Sequence, residues 1–449
     1  MLKKEVKTFF IKTYGCQMNE LDSEIMIGIL ENRGLSRSED EMQADILIYN
    51  SCSIRDLAER KVMGRIGKLV RGSRKNAIIG VTGCMAMAKK DSLFRKLPHV
   101  DFVLGTNNIM DLDKVLDEVL TTGNKVHYTQ DQFEENLDYL VAKRDDPVKA
   151  YVSIIRGCDK FCTYCVVPYT RGQEVSRDPD SIVRECQQLV DKGYKEVTLL
   201  GQNVNSYGKD KKEFNCLFHD LLYRLDNIDG LERIRFMTSH PYDITEELMH
   251  AVGTLPSLCK FIHFPIQAGS DRILRKMNRL YTVEDYLKKV RRFREIVPNV
   301  ALGTDIIVGF PTETDEEFQM TYDVLKEIEY SVAFVFSYSE RKGTPAKRWK
   351  DDVAEEVKKE RLHRLLELQN GICAKQREVF LGKPTKVLVE SASMKDKQYL
   401  KGRTSCWKNV VFPGDLSQVG TIQTIDIHSF SHQTLLGELA LERKVLEVS

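Results

Sequence analysis

The 449 residues lack any long apolar run. Between Met1 and Thr13 lysines interrupt the apolar side chains, so the pattern of a secretory signal is missing. No stretch of about 18 apolar residues appears later, which argues against a membrane-spanning helix. Charge of one sign is missing too, since 67 lysines and arginines against 66 aspartates and glutamates leave +1. Any contact with nucleic acid must then come from a local basic patch, because no global field attracts phosphate. These absences predict a cytoplasmic protein with no membrane partner.

What is present fits a globular chain, with 42% hydrophobic and 30% charged residues. The length predicts about two to four folding units, and the pattern changes along it mark three, at 1–125, 144–376 and 377–445. The eleven cysteines are an odd number in a chain without an export pattern, so metal or redox chemistry is a better use for them than disulfides.

The expected fold class is α/β. Strand candidates at Lys7 to Tyr14, Asp45 to Asn50, Ala77 to Thr82 and Asp101 to Leu104 alternate with helices at Glu20 to Asn32 and Arg55 to Val70. That order predicts an N-terminal parallel α/β sandwich. The polar run Leu140 to Lys149, with Arg144, Asp145, Asp146 and Pro147, reads as an exposed connection. Six further strands follow at Tyr151–Ile155, Glu196–Leu200, Ile234–Thr238, Phe261–Ile266, Gly303–Val308 and Ala333–Tyr338, and predict a partial or full (β/α)6 barrel. A helix at Asp351 to Phe380 should lay Val353, Val357, Leu362, Leu365, Leu366 and Ile372 on it. Short strands at Thr385–Glu390, Asn409–Phe412 and Ile422–Ile427 then predict a small antiparallel β-barrel.

Cys158, Cys162 and Cys165 form C-x-x-x-C-x-x-C just past the first barrel strand, where parallel barrels build their active sites. Three thiolates on a four-iron cubane leave one iron open to another ligand. A zinc site completed by Cys186 or a histidine is the other use of such spacing. Cys16, Cys52 and Cys84 each follow an N-terminal strand, 36 and 32 residues apart. One strand-helix-strand repeat has about that length, so the three thiols could meet at one sheet edge. Three unrelated buried cysteines are the alternative.

The aromatic Tyr164 directly before Cys165 makes the first motif resemble the radical S-adenosylmethionine signature. With the N-terminal trio, and with Cys165-Val-Val-Pro-Tyr-Thr-Arg-Gly172, Leu199-Leu-Gly-Gln-Asn-Val-Asn-Ser-Tyr207 and Thr238-Ser-His-Pro241, nearly the whole chain resembles the methylthiotransferase family. The resemblance implies two 4Fe-4S clusters, on Cys16, Cys52 and Cys84 and on Cys158, Cys162 and Cys165. It also implies S-adenosylmethionine as cofactor and a C-terminal TRAM domain. The implied reaction is methylthiolation of carbon 2 of N6-isopentenyladenosine at position 37 of tRNA. The implied partners are the tRNA anticodon loop and an electron donor such as flavodoxin or ferredoxin, with the enzyme acting as a monomer. Threonylcarbamoyladenosine of tRNA or a ribosomal protein is the alternative substrate within the family, and a non-catalytic iron-sulfur RNA-binding regulator is the alternative outside it. Thr312 follows Pro311 where the family pattern suggests glycine.

The strand ends of the barrel carry further polar residues. Tyr164, Gln202, Asn203 and Gln267 are the candidates for cofactor contact, and Ser270 before Asp271 suits a helix cap. His240 reads as a shaping residue, since radical abstraction needs no base, and Arg171 and Arg177 as weak candidates for substrate contact. Between Lys383 and Lys408 seven basic residues against two acidic ones leave +5. Lys383, Lys395, Lys397, Lys401, Arg403, Trp407 and Lys408 are therefore the candidates for RNA contact.

Overall fold

The computed structural model describes residues 6–53, 56–71, 77–130 and 144–440. Residues 1–5, Arg55, 140–143 and 441–445, which enter the readings above, lie outside the described residues.

The N-terminal sheet is parallel throughout. Its strands lie in the order Ser36–Arg37, Thr8–Tyr14, Ile46–Ser51, Ile78–Thr82, Phe102–Leu104, Val126–Tyr128. Two of the six, Ser36–Arg37 and Val126–Tyr128, escape a sequence reading because runs of two and three residues carry no periodicity. All six residues of Ile46–Ser51 are buried, as expected of a central strand covered on both faces. The helices Gln17–Asn32 and Leu112–Thr122 pack in one apolar cluster on this sheet.

In the middle of the chain, Lys149–Ser153, Glu196–Leu200 and Arg233–Phe236 form one parallel sheet, and Phe261–His263, Ala301–Val308 and Val332–Ser337 a second. The bridge Ile234–Leu258 joins them into a six-strand partial barrel. The helix Glu355–Glu378 lies against its last strand, but the buried face differs from the expected one. Leu366 is 40% exposed, while Lys358 and Arg361 are buried by pairing with Asp351, Glu355 and Glu313.

The connection between the two domains is not exposed at Arg144. Its side chain, 3% accessible, pairs with Glu24 of the first domain at 3.0 Å and Glu185 of the second at 2.5 Å. Removing one partner of such a buried pair costs about 3–5 kcal/mol, so this arginine rivets two units that its polar neighbours suggested were merely tethered.

Five strands, Pro384–Ala392, Tyr399–Thr404, Asn409–Pro413, Ile422–Ser431 and Thr434–Leu439, close the C-terminal barrel. It is antiparallel except that Asn409–Pro413 runs parallel to Thr434–Leu439, which corrects the all-antiparallel expectation. This small barrel is fixed to the beginnings of the central strands. Arg233 donates to the carbonyl of Arg403 at 2.5 Å, Arg235 to those of Thr404 and Ser405 at 2.7 and 3.0 Å, and Lys149 pairs with Glu390 at 3.2 Å. Trp407 stacks on Phe261, the first residue of its strand, with ring centres 5.3 Å apart.

Candidate active site

Register brings the N-terminal trio together. Thr13 pairs with Asn50 and Asn50 with Thr82, so three strands end level and each releases its chain one or two residues before a cysteine. At the third, Gly83 has φ +83, and a side chain there would meet the Asn50 amide oxygen at 2.3 Å. Only glycine suits that turn. Asn19 and Asn50 tie the ends to one another: Asn19 Nδ2 donates to Asn50 Oδ1 at 2.9 Å, and Asn50 Nδ2 to the Asn19 carbonyl at 2.8 Å. Cys16 Sγ donates to Asn19 Oδ1 at 3.2 Å.

Cys52 hydrogen-bonds with both Cys16 and Cys84. That bond draws the Cys16 thiol down to about 7 and Cys84 to about 6, and the Arg171 guanidinium acts in the same direction on both. Cys52 itself is held well above the usual range by the same bonds. Cys16 is exposed, while Cys52 and Cys84 are each 2% accessible.

The second trio sits on one loop that folds back on itself. Gly157 has φ +81, and a side chain there would strike the Gln173 carbonyl at 1.8 Å. Phe161 follows at φ +46. The Cys158 N–H donates to the Gly172 carbonyl at 3.0 Å and the Thr163 N–H to that of Met277 at 3.1 Å. Burial pushes the Cys158 thiol far up and Cys165 up to about 12. Arg279, 7% accessible, donates to Cys162 Sγ at 3.3 Å and is steadied by Tyr281 at 2.9 Å. Cys186 takes no part, since it lies at 0% accessibility in the apolar core of the barrel. Among the described residues, no three cysteine, histidine or carboxylate groups converge as around a single ion. A cubane takes each thiolate on a different iron, at separate corners, and both trios fit that arrangement better.

The segments that carry the two trios are packed together. The helix Val167–Arg171, which follows the barrel loop, packs on the helix Cys84–Lys89. Thr106 Oγ1 donates to the Thr170 carbonyl at 2.6 Å across the seam. Cys84 lies close enough for its charge to act on Cys165.

Of the cofactor candidates, Gln202 accepts from the Gly157 N–H at 2.5 Å and so supports the cysteine loop. Asn203, 1% accessible, donates to Asp243 at 2.7 Å and accepts from the His240 N–H at 3.1 Å. Its amide is engaged within the protein on both sides. Tyr164 packs edge-on against Phe310, 6.4 Å away, on the core side of the loop. Gln267 is 7% accessible at φ +74, its backbone bridging to Ile306. Ser270 caps its helix as expected, accepting from the Ile273 N–H. Burial lowers His240 to about 2, so it stays neutral and serves as a shaping residue.

Phe161, Thr238, Gln267 and Thr312 all adopt left-handed backbone in loops beyond barrel strands. Strain of this kind gathers at functional sites, and residue type does not announce it. At Thr312 (φ +72) the conformation explains why glycine would be expected. Threonine is held there by its N–H donating to Asp352 at 2.7 Å and by Arg272 on its carbonyl at 2.6 Å.

Among the RNA candidates, Lys383, Lys395 and Lys397 are exposed and Lys401 half-buried. Trp407, Lys408 and Arg403 are engaged with other side chains of the protein. Trp407 is wedged between Phe261 and the guanidinium groups of Arg235 and Arg403. Lys408, 7% accessible, donates to Ser331 at 2.7 Å, and Arg403 pairs with Glu390 at 3.4 Å. These three hold the small barrel to the large one.

Known proteins share both the fold and the sequence. Residues 152–325 match the Radical SAM superfamily, and residues 8–105 match the uncharacterized protein family UPF0004. The fold resembles that of the radical S-adenosylmethionine methyltransferase TsrM from Kitasatospora setae, solved with cobalamin and a 4Fe-4S cluster. The TM-score is 0.57 at 14% identity, covering 76% of this chain and 74% of that one. The partial barrel with its cysteine loop thus defines the class, the radical S-adenosylmethionine enzymes.

Within that class the chain is 70% identical over 439 residues to the tRNA-2-methylthio-N(6)-dimethylallyladenosine synthase of Protochlamydia amoebophila (strain UWE25), covering 98% of each. It is 46% identical over 442 residues to the enzyme of that name from Clostridium botulinum (strain Langeland / NCTC 10281 / Type F), covering 97% of this chain and 98% of the relative. The chain belongs to the family of tRNA-2-methylthio-N(6)-dimethylallyladenosine synthases.

Proposed function

We propose that this chain methylthiolates carbon 2 of N6-isopentenyladenosine at position 37 of tRNA. Cys158, Cys162 and Cys165 would hold one 4Fe-4S cluster, and Cys16, Cys52 and Cys84 a second. The observation that carries this reading is the packing of the helix behind the barrel cysteine loop on the helix that begins at Cys84, with Thr106 bonded to Thr170 across the seam. When bound, the barrel cluster with S-adenosylmethionine supplies the radical and the second cluster the route for sulfur. The protein's own groups do the holding. Gln202 and Arg279 fix the barrel loop, Asn19 and Asn50 fix the strand ends, and neutral His240 closes the wall without moving a proton.

Lys383, Lys395, Lys397 and Lys401 are the groups left to meet phosphate, and a base must leave its stack to enter the barrel. No helix among the described residues is long and apolar enough to cross a membrane. The reading adds a cytoplasmic monomer with a flavodoxin or ferredoxin as its electron donor. The test is mass spectrometry of tRNA nucleosides from a strain lacking this chain. Isopentenyladenosine should remain and its methylthio derivative disappear, whereas persistence of that derivative overturns the assignment. Loss of methylthio-threonylcarbamoyladenosine instead would assign the other substrate.

A further inference from the structure

Arg171 ends the helix that follows the barrel cysteine loop, yet its charged group acts on the other trio. The residue is 2% accessible, and its Nη2 donates to Asp22 at 2.7 Å, itself 1% accessible, on the N-terminal helix Gln17–Asn32. The guanidinium charge reaches both Cys84 and Cys16, and that of Asp22 reaches Cys84 with the opposite sign. Nη1 is buried and has no hydrogen-bond partner among the described residues. A buried N–H is ordinarily satisfied, so a guanidinium kept in this place with one nitrogen free suits an acceptor such as sulfide or thiolate.

We propose that Arg171 is a positioning residue for the N-terminal cluster: it reaches from the barrel domain to the cysteine trio and sets the charge that cluster experiences, with Asp22 as its fixed counter-charge. This rests on the reading that Cys16, Cys52 and Cys84 ligate a cluster. A positive charge in a poorly screened site favours the reduced, more negative state, and an uncompensated carboxylate opposes it. Arg171 thereby gives the two domains a shared electrostatic element: any shift of the helix Val167–Arg171 changes the field at the other trio.

The test uses the full-length chain with Cys158, Cys162 and Cys165 replaced by alanine, so that remaining iron belongs to the N-terminal trio. After anaerobic reconstitution, its potential is titrated with detection by electron paramagnetic resonance. Asp22→Asn should shift the reduction equilibrium at least tenfold toward the reduced cluster, about 59 mV upward for a one-electron couple. Arg171→Gln should shift it tenfold the other way, and Arg171→Lys should stay close to the parent. Loosening of the structure alone would move Asp22→Asn and Arg171→Gln in one direction, so opposite signs support the proposal and equal signs overturn it. If Arg171→Gln does not fold, Asp22→Asn decides alone. An unchanged potential with full iron and sulfide content overturns the proposal. A parent that binds no iron refutes the cluster reading instead, and does so before Arg171 is tested.

Discussion

In the N-terminal domain three thiols arrive from separate strand ends, 36 residues from Cys16 to Cys52 and 32 from Cys52 to Cys84, while in the barrel three thiols share a loop of eight residues. The first set is gathered by register, and two of its thiols are drawn toward ionisation, Cys16 to about 7 and Cys84 to about 6, while Cys52 between them is raised. The second is gathered by backbone turns, and burial pushes Cys158 and Cys165 away from ionisation, Cys165 to about 12. A short motif fixes ligand geometry locally and can sit in apolar surroundings. A dispersed trio depends on a whole sheet, and here it also has an arginine from the neighbouring domain.

The sharpest way to break this contrast is to remove one ligand at a time. Cys158→Ala, Cys162→Ala or Cys165→Ala should abolish 5'-deoxyadenosine formation and lose one cluster by iron and sulfide analysis. Cys16→Ala, Cys52→Ala or Cys84→Ala should lose the other cluster, keep 5'-deoxyadenosine formation and yield no methylthiolated nucleoside. Equal loss of both clusters in every variant would mean that the trios are not independent.

A smaller effect should follow at the support of the barrel loop. Asp243, 3% accessible, pairs with Lys160 of that loop at 2.7 Å and with Lys209 at 2.8 Å. Asp243→Asn should destabilise the protein by about 1.5–3 kcal/mol in urea unfolding, because it removes the charge to which Lys160 and the half-exposed Lys209 donate.

The acid limb sharpens the contrast further. His240 packs on Tyr281, which steadies Arg279 beside Cys162. Its folded value is depressed, so the unfolded chain takes up the proton first, and its contribution to stability, complete above its ordinary value of 6.5, is lost as pH falls toward about 2. Stability should drop by about 1.4 kcal/mol for each pH unit below that ordinary value, and His240→Asn should flatten this part of the profile. The smallest effect belongs to Cys186→Ala, a core change expected to cost about 1 kcal/mol in thermal unfolding. Iron content should not change, and any loss of metal would return Cys186 to the ligand set.

Much of the frame was legible. Glu196–Leu200 lies where its apolar run placed it, and Cys16, Cys52 and Cys84 could be matched to strand ends because repeat length reports on parallel sheets. What stayed hidden depended on distance in sequence. Nothing marks Arg171 as a partner of Asp22, 149 residues away, or Arg279 as a neighbour of Cys162, 117 residues away. A basic run likewise does not say which of its members face solvent. Trp407 and Lys408 looked like RNA contacts by composition, and only the fold turns them toward Phe261 and Ser331. Asn19 and Asn50 could have been suspected, since each lies within a few residues of a cysteine at a strand end.

The small barrel grips the strands where they begin, and the cysteines lie where they finish. With three to eight residues per strand at about 3.3 Å each, the grip and the cysteines sit at opposite poles of the central strands. A free nucleoside could occupy one pole only. A folded RNA is long enough to reach both.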